Sequence, residues 1–380
     1  MASLDRRVRR AAATAMALAF GTTLTLTGTA TAGTGTARTD IAPADTAGAG
    51  APTGSHVTQV PLAQGLYQSA YSERNDVLWA TASVGQPPAP VTASRLLRID
   101  PDTLEVDAAY TPPTNGTVEA VYGIDVDDEH NTVWVTNTRT NSVSVYSQRT
   151  GRHLVTRPDV NHSREVVVDE KRDVVWASAF GDGALVAFDS RTLREIRRVT
   201  VEGSGPTGLA VNERTGAVYA ADFTNNRIIE VGPGSGAPRL IPTGEGPLSI
   251  TLSTDGRTAY TADQASGTLS VVGLHKGAVA RSVATGEGAK SVTVDPCTGR
   301  VLVANRLAGS LSVVDPRAGT VVESVTTGAY PNHVRMTDDS TAYVVDKSGS
   351  GPSGEDGLTR IRFGPQGSHR HDTAATRPAC

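Results

Sequence analysis

Seven times the chain writes the same short apolar strand: VLWATA (77–82), VWVTN (133–137), VWASA (175–179), VYAAD (218–222), AYTAD (259–263), VLVAN (301–305) and AYVVD (342–346). A repeat at this period restricts the fold more than any other feature, because each copy must be one supersecondary unit that buries its apolar face against its neighbours. The copy at 289–330 shows the unit most plainly. SVTV, VLVAN, SLSVVD and VVESVT are four near-alternating runs of Val, Ser and Thr, separated by turns bearing Gly, Pro, Asp or Asn. This is the pattern of short antiparallel strands. The turn before each aligned strand is acidic or Gly-bearing, as in DVDDEHNT, VVDEKRD, VNERTG, STDGRT, VDPCTGR and MTDDST.

Four-stranded units with no amphipathic helix between them predict an all-β, seven-bladed β-propeller. A closed ring leaves no long free strand edge, which lets a chain be all strand without pairing with copies of itself. The last unit supplies only three strands, NHVRM, TAYVVD and GLTRIRF (357–363), whereas HVTQVPLA (56–63) precedes the first blade without a partner. The expectation is that 56–63 completes the outer edge of the last blade. The propeller then spans 56–363.

Residues 1–32 read as a signal peptide. Arg6, Arg7, Arg9 and Arg10 form a basic start, AAATAMALAFGTTLTLTG a modestly apolar core, and Ala30-Thr31-Ala32 a small-residue cleavage site. Export across the cytoplasmic membrane, and a secreted location, follow as expectations. Residues 33–55, rich in Thr, Ala and Gly, read as a disordered linker, and 364–380 as a C-terminal tail. No later apolar run is long enough to span a membrane. The chain carries a net charge of −4, and cleavage would remove four arginines against one aspartate. Such a protein is not built for bulk adhesion to nucleic acid or anionic lipid. Cys297 and Cys380 are the two cysteines. In an exported protein an even count fits a disulfide, here one that would pin the tail beneath the sixth blade.

VWVTNTRTNSVSVYSQRTG (133–151) and VLVANRLAGSLSVVDPRAG (301–319) resemble the YVTN-type propeller repeat. The order of GIDVDDEHNTVWVTNTRTNSVSVYS, SREVVVDEKRDVVWAS, PNHVRMTDDSTAYVVDK and a terminal EDGLTRIRF is similar to the YncE-like family of exported seven-bladed propellers. The likeness covers about residues 56–363. It implies a binding protein and carries over no catalytic set.

In a propeller the ligand site expected first is the channel mouth, where blades converge. The residues leading into the inner strands are Tyr67-Gln68, Tyr122-Gly123, Arg164-Glu165, Thr207-Gly208, Leu248-Ser249, Lys290-Ser291 and Asn332-His333. Arg164, Lys290 and His333 offer donors, Glu165 an acceptor, Asn332 both, and Tyr122 a stacking face. On the same face Arg306 and Lys347 follow the second strands of their blades, as Phe180 and Phe223 do. The candidate ligand-binding set is therefore Tyr122, Arg164, Glu165, Lys290, Arg306, Asn332, His333 and Lys347. The recurring Asn137, Asp222, Asp263, Asn305 and Asp346 read instead as turn-bracing residues.

The function expected is non-enzymatic binding by a monomer, with no catalytic residue, metal or cofactor assigned. The partner would be a small anion, a polyanion such as single-stranded nucleic acid, or a protein. The competing expectation is a metal-dependent, lactonase-like hydrolase at the channel. Hard cations take carboxylate and amide oxygens. Glu165, Asn332 and Asp222 offer these, yet Gln68 stands where a further carboxylate is wanted, and Arg164 and Lys290 oppose a cation.

Overall fold

The computed structural model describes residues 55–85, 88–114 and 116–363. They form seven four-stranded antiparallel sheets. The inner strands, blade by blade, are Leu66–Ser72, Ile124–Asp127, Ser163–Asp169, Pro206–Asn212, Pro247–Leu252, Ala289–Val294 and His333–Met336. The seven-bladed expectation therefore holds, and so does the closure. In the last blade, His333–Met336, Thr341–Val345 and Asp356–Arg362 are completed by His56–Ala63, which runs from His56 opposite Arg362 to Ala63 opposite Asp356.

The core is not central but lies between blades. At one position of the second strand the repeat places Trp79, Trp134, Trp176, Tyr219, Tyr260, Leu302 and Tyr343, all buried. Each packs into the interface with the following blade. Trp79 joins Val121, Ile124 and Val133 of blade two. Trp134 joins Val166, Val175 and Phe188 of blade three. Tyr343 of blade seven meets Leu66, Tyr71 and Leu78 of blade one, and Val60 and Leu62 of the closing strand pack on the same cluster. Ring closure thus uses the same apolar contact as every other interface. Truncating one buried aromatic of this kind to Ala costs about 3–5 kcal/mol.

The recurring Asn and Asp column was expected to bond the backbone of the following turn; Asp346 does so through the Ser348 amide, while the others bond mostly to side chains of their own blades. Asn137 donates to Ser142 and Ser144. Asp222 accepts from the Gly205 amide and from Arg227. Asp263 accepts from Ser270 at 2.6 Å, and Asp346 from the Gly357 amide at 2.7 Å. These side chains are wholly buried and bond within their own blades.

Cys297 sits in the first turn of blade six, its Sγ 3.3 Å from the carbonyl oxygen of Asp338. Its expected partner Cys380 lies outside the described residues, as do residues 1–32, expected as a signal peptide, the expected linker up to residue 54 and the expected tail at 364–380. Among the described residues no helix is long and apolar enough to cross a membrane.

Starting the chain at residue 65 removes the closing strand and leaves Asp356–Arg362 as a free edge. The expected result is a melting temperature lower by at least about 10 °C, given several kcal/mol of lost apolar burial. Edge pairing should also produce oligomers by light scattering.

Candidate functional site

The top ends of the inner strands are bulged. Against their second strands, blades one, three, four, five and six each shift register by one residue, between Leu66 and Ser69, Ser163 and Val166, Pro206 and Leu209, Pro247 and Ser249, and Ala289 and Ser291. A bulge leaves a residue unpaired and re-aims its side chain. It falls where Tyr67, Gln68, Arg164, Glu165 and Lys290 stand, and it turns them to the channel. Glycine is needed at two intervening positions because the strands approach closely. A Cβ on Gly123 would lie 2.5 Å from the Arg164 carbonyl oxygen, and one on Gly208 would lie 2.7 Å from Ser249 Cα.

The channel narrows at this level. Above lies a space of only about 40 Å³ lined by Tyr67, Gln68, Arg164, Glu165, Lys290, Asn332 and His333 among others. Below, a chamber of about 490 Å³ opens between the turns at Glu213 and Asp255. Glu165, Gly208, Ser249 and His333 border both. The sequence placed the site at the top mouth; the roomier cavity is on the opposite side, because long side chains crowd the upper ends of the inner strands. Among the described residues lining it, Asp125 pairs with Arg335 at 3.6 Å and Lys171 with Glu213 at 3.3 Å.

A belt of hydrogen bonds runs round the narrow level. Gln68 Oε1 accepts from the Ile124 amide, Ser249 Oγ from Val292, Ser291 Oγ from Val334 and His333 Nδ1 from Ser69. Each ties one inner strand to the next. His333 is thereby held with Nδ1 as acceptor, and burial, helped by Arg335 and Lys290, pushes its pKa down to about 3. It stays neutral at ordinary pH.

Glu165 departs from this belt. Its carboxylate accepts from Gln68 Nε2 at 2.8 Å, reaching past Gly123 of blade two. Burial, reinforced by Asp125, pushes its pKa up to about 7 against the opposing hydrogen bond from Gln68. Lys290 is displaced the other way, down to about 7, by burial and then by Arg306 and Arg164, with Glu165 opposing.

The remaining candidates surround these two. Arg306 donates to Asn332 Oδ1 at 2.6 Å, and Asn332 Nδ2 donates to the Tyr67 carbonyl oxygen at 2.6 Å. Arg306 also lies over the Tyr330 ring at 5.8 Å. Arg164 lies over Phe180 at 5.9 Å and reaches His162 Nε2 at 3.4 Å. Tyr122 stands edge-on to Tyr67 with centroids 4.9 Å apart, and burial raises its hydroxyl pKa. Lys347 is committed elsewhere: its ammonium pairs with Asp356 at 3.2 Å, and Asp356 also accepts from the Gly65 and Gly349 amides. The structure thus gathers Arg164, Glu165, Lys290, Asn332 and His333 at the mouth, sets Arg306 and Tyr122 beside them, and ties Lys347 into the join between blades seven and one. Tyr330 and His162 escaped the sequence reading. The available signal was that they stand where sibling blades have glycine, as TGAYP against TGEGP and TGEGA shows.

The ring, its interblade cores and its polar channel define a seven-bladed β-propeller. No protein-family model matches the chain. It is 25% identical over 246 residues to the uncharacterized protein YncE of Escherichia coli O157:H7, covering 58% of this chain and 65% of that protein, and it matches YncE of Escherichia coli K12 to the same extent. The chain therefore spans just under two thirds of the length of these relatives. Among solved structures, the fold superposes on virginiamycin B lyase from Staphylococcus aureus with a TM-score of 0.66 at 13% identity, covering 81% of this chain and 99% of that one. A streptogramin B lyase superposes with a TM-score of 0.65 at 12% identity, covering 81% and 98%. These likenesses establish the fold. In sequence the chain resembles YncE, at 25% identity.

The displaced pKa values set a stability profile. Between its ordinary 4.5 and about 7, Glu165 holds a proton in the folded state that the unfolded chain has lost, so stability falls as pH rises through that window. Between about 7 and its ordinary 10.5, Lys290 is protonated only in the unfolded chain, so stability rises with pH there. Glu165→Gln is expected to remove the fall and to gain about 1–3 kcal/mol at pH 7.5. Lys290→Met is expected to flatten the alkaline rise. Urea unfolding of both variants from pH 4 to 10 checks this.

Proposed function

We propose that the protein is an exported, non-enzymatic binding protein that takes a small anion at the top mouth of the channel. The observation that carries this reading is charge without a partner. Arg164 and Arg306 both depress the Lys290 ammonium. None of the three makes a salt bridge among the described residues. Glu165 is the one carboxyl at the mouth, and half its charge is withheld at neutral pH by its displaced pKa. Holding like charges together in a narrow, poorly solvated space is unfavourable, and an anion would relieve it. The space of about 40 Å³ suits one anionic group better than a stacked strand of nucleic acid. Export rests on the basic start and small-residue site at 1–32.

A catalytic reading draws on a different observation. Glu165, near neutrality and open to both sides of the narrow level, suits general-base work, and the solved neighbours are named as lyases of virginiamycin B and streptogramin B. A metal-dependent hydrolase fits less well, since the cations around Glu165 oppose a divalent ion. Turnover of a lactone or streptogramin B by the wild type, lost in Glu165→Gln, would favour catalysis.

Calorimetric titration with acetate, sulfate and phosphate tests the binding reading. A charge-assisted hydrogen bond contributes about 1.5–3 kcal/mol, so Arg164→Ala and Arg306→Ala should each weaken binding at least about tenfold. Affinity should fall from pH 6 to 8, because Lys290 loses its charge and Glu165 gains one. Lys290→Met should show a shallower decline. Failure of all three anions to bind the wild type at pH 6 would end this reading.

A further inference from the structure

Before five of the seven inner strands the backbone has a left-handed slot, which three of these blades fill with glycine. Gly65, Gly246 and Gly288 occupy it with φ of 79°, 66° and 72°. In blades three and seven the same slot holds His162, at φ 50°, and Tyr330, at φ 58°. A ring-bearing residue is poorly suited to this conformation and persists there only when something else is gained. Fold packing does not supply the gain, since the sibling blades close without a side chain there. In blade six a Cβ on Gly288 would even press against Leu307 Cγ at 2.8 Å.

Both rings serve an arginine of the mouth. Tyr330 lies beneath Arg306. His162 packs against Phe180 with centroids 5.4 Å apart, and Arg164 covers that phenylalanine. A guanidinium resting on a ring keeps its N–H edge free to meet an anion. The two sides differ in what surrounds them. On the blade six and seven side, Tyr330 is 50% exposed and Leu307, next in sequence to Arg306, is 57% exposed. These are the two most exposed large apolar side chains on this face.

We propose that the ligand is an amphipathic carboxylate, its carboxylate held at the mouth by Arg306 and Lys290 and its flat aromatic body lying outside on Tyr330 and Leu307. This rests on the anion-binding reading and specifies it. The size of the mouth separates the two halves of the ligand, because about 40 Å³ admits a carboxylate but not a ring. The ring must then remain on the surface, where Tyr330 offers one open face. Such a group occurs both in free aromatic acids and at the C-terminus of a peptide ending in an aromatic residue.

The test is calorimetry at pH 6 with acetate, 3-phenylpropionate, N-acetyl-L-phenylalanine and N-acetyl-L-phenylalaninamide. Both aromatic acids are expected to bind at least about tenfold more tightly than acetate, and the amide not to bind. Preference for N-acetyl-L-phenylalanine over 3-phenylpropionate would point to a peptide end, and the reverse to a free acid. Tyr330→Gly restores the repeat's own residue. It should reduce both aromatic acids to the affinity that the same variant shows for acetate, and keep or raise the melting temperature. Tyr330→Asn, which also tolerates the left-handed slot, should give the same ligand result. Acetate binding with no gain from the ring, or an undiminished gain in both variants, would overturn this proposal and leave the anion reading standing. A lower melting temperature in both variants with ligand affinities unchanged would make Tyr330 structural and overturn it too. Tight binding of a ten-residue oligothymidylate without response to either aromatic acid would replace it with a nucleic-acid site. Failure of acetate and aromatic acids alike would overturn this proposal, and the anion reading with it if sulfate and phosphate also fail to bind.

Discussion

Seven sheets arranged in a ring are stable only if the seventh packs on the first as firmly as every other pair. Here that contact is the cluster of Leu66, Tyr71 and Leu78 with Tyr343, Val345 and Leu358, joined by the strand His56–Ala63 that pairs along Asp356–Arg362. The strand comes from the start of the propeller and the sheet from its end, so the ring is tied by chain connectivity as well as by apolar burial. Everything at the channel depends on this. The inner strands hold their spacing because each blade is wedged by an aromatic or leucine of the one before it, from Trp79 round to Tyr343. Those wedges leave no freedom for the mouth to spread and relieve its own repulsion.

Given that rigid ring, the chemistry of the channel follows from small departures from the repeat. One bulged residue in blade six and one in blade three swing Lys290, and the Arg164 and Glu165 pair, inward. Glycines at 123 and 208 let the neighbouring strands close in. The result is a narrow level where charge is poorly solvated. There a lysine gives up part of its proton affinity and a glutamate gains some, for the same reason of burial. The belt of hydrogen bonds at that level is structural in origin. It also settles the state of His333, whose Nδ1 is occupied by the Ser69 amide. A residue that reads in sequence as a titratable ligand is in practice a neutral tie between blades seven and one. Lys347 makes the same point, since Asp356 takes up its ammonium. The cationic character of the mouth therefore belongs to Arg164, Lys290 and Arg306.

The architecture was legible because periodicity is local. Strand alternation, turn residues and a recurring aromatic position are written into each copy, and the missing fourth strand of the last copy pointed back to 56–63. The turn-bracing Asn and Asp were legible for the same reason, as their partners lie a few residues away in the chain. The site was legible only as a list. Aligning the copies names Arg164, Lys290 and Asn332 as leading into inner strands. It does not say that Gln68 of blade one would reach Glu165 of blade three, or that the larger cavity would open on the opposite face. Those outcomes depend on how far apart the inner strands stand, which no single copy encodes.

The repeat alone thus dictated seven blades, their order and their closure, because each unit must bury its apolar face against the next. Glycine also recurs at 65, 246 and 288, where the backbone enters an inner strand through a left-handed slot. Only the assembled ring decided what the exceptions in that slot do. Tyr330 and His162 become surfaces for two arginines across the mouth because the closed circle brings blades three, six and seven to a common axis, at separations in sequence that local pattern cannot measure.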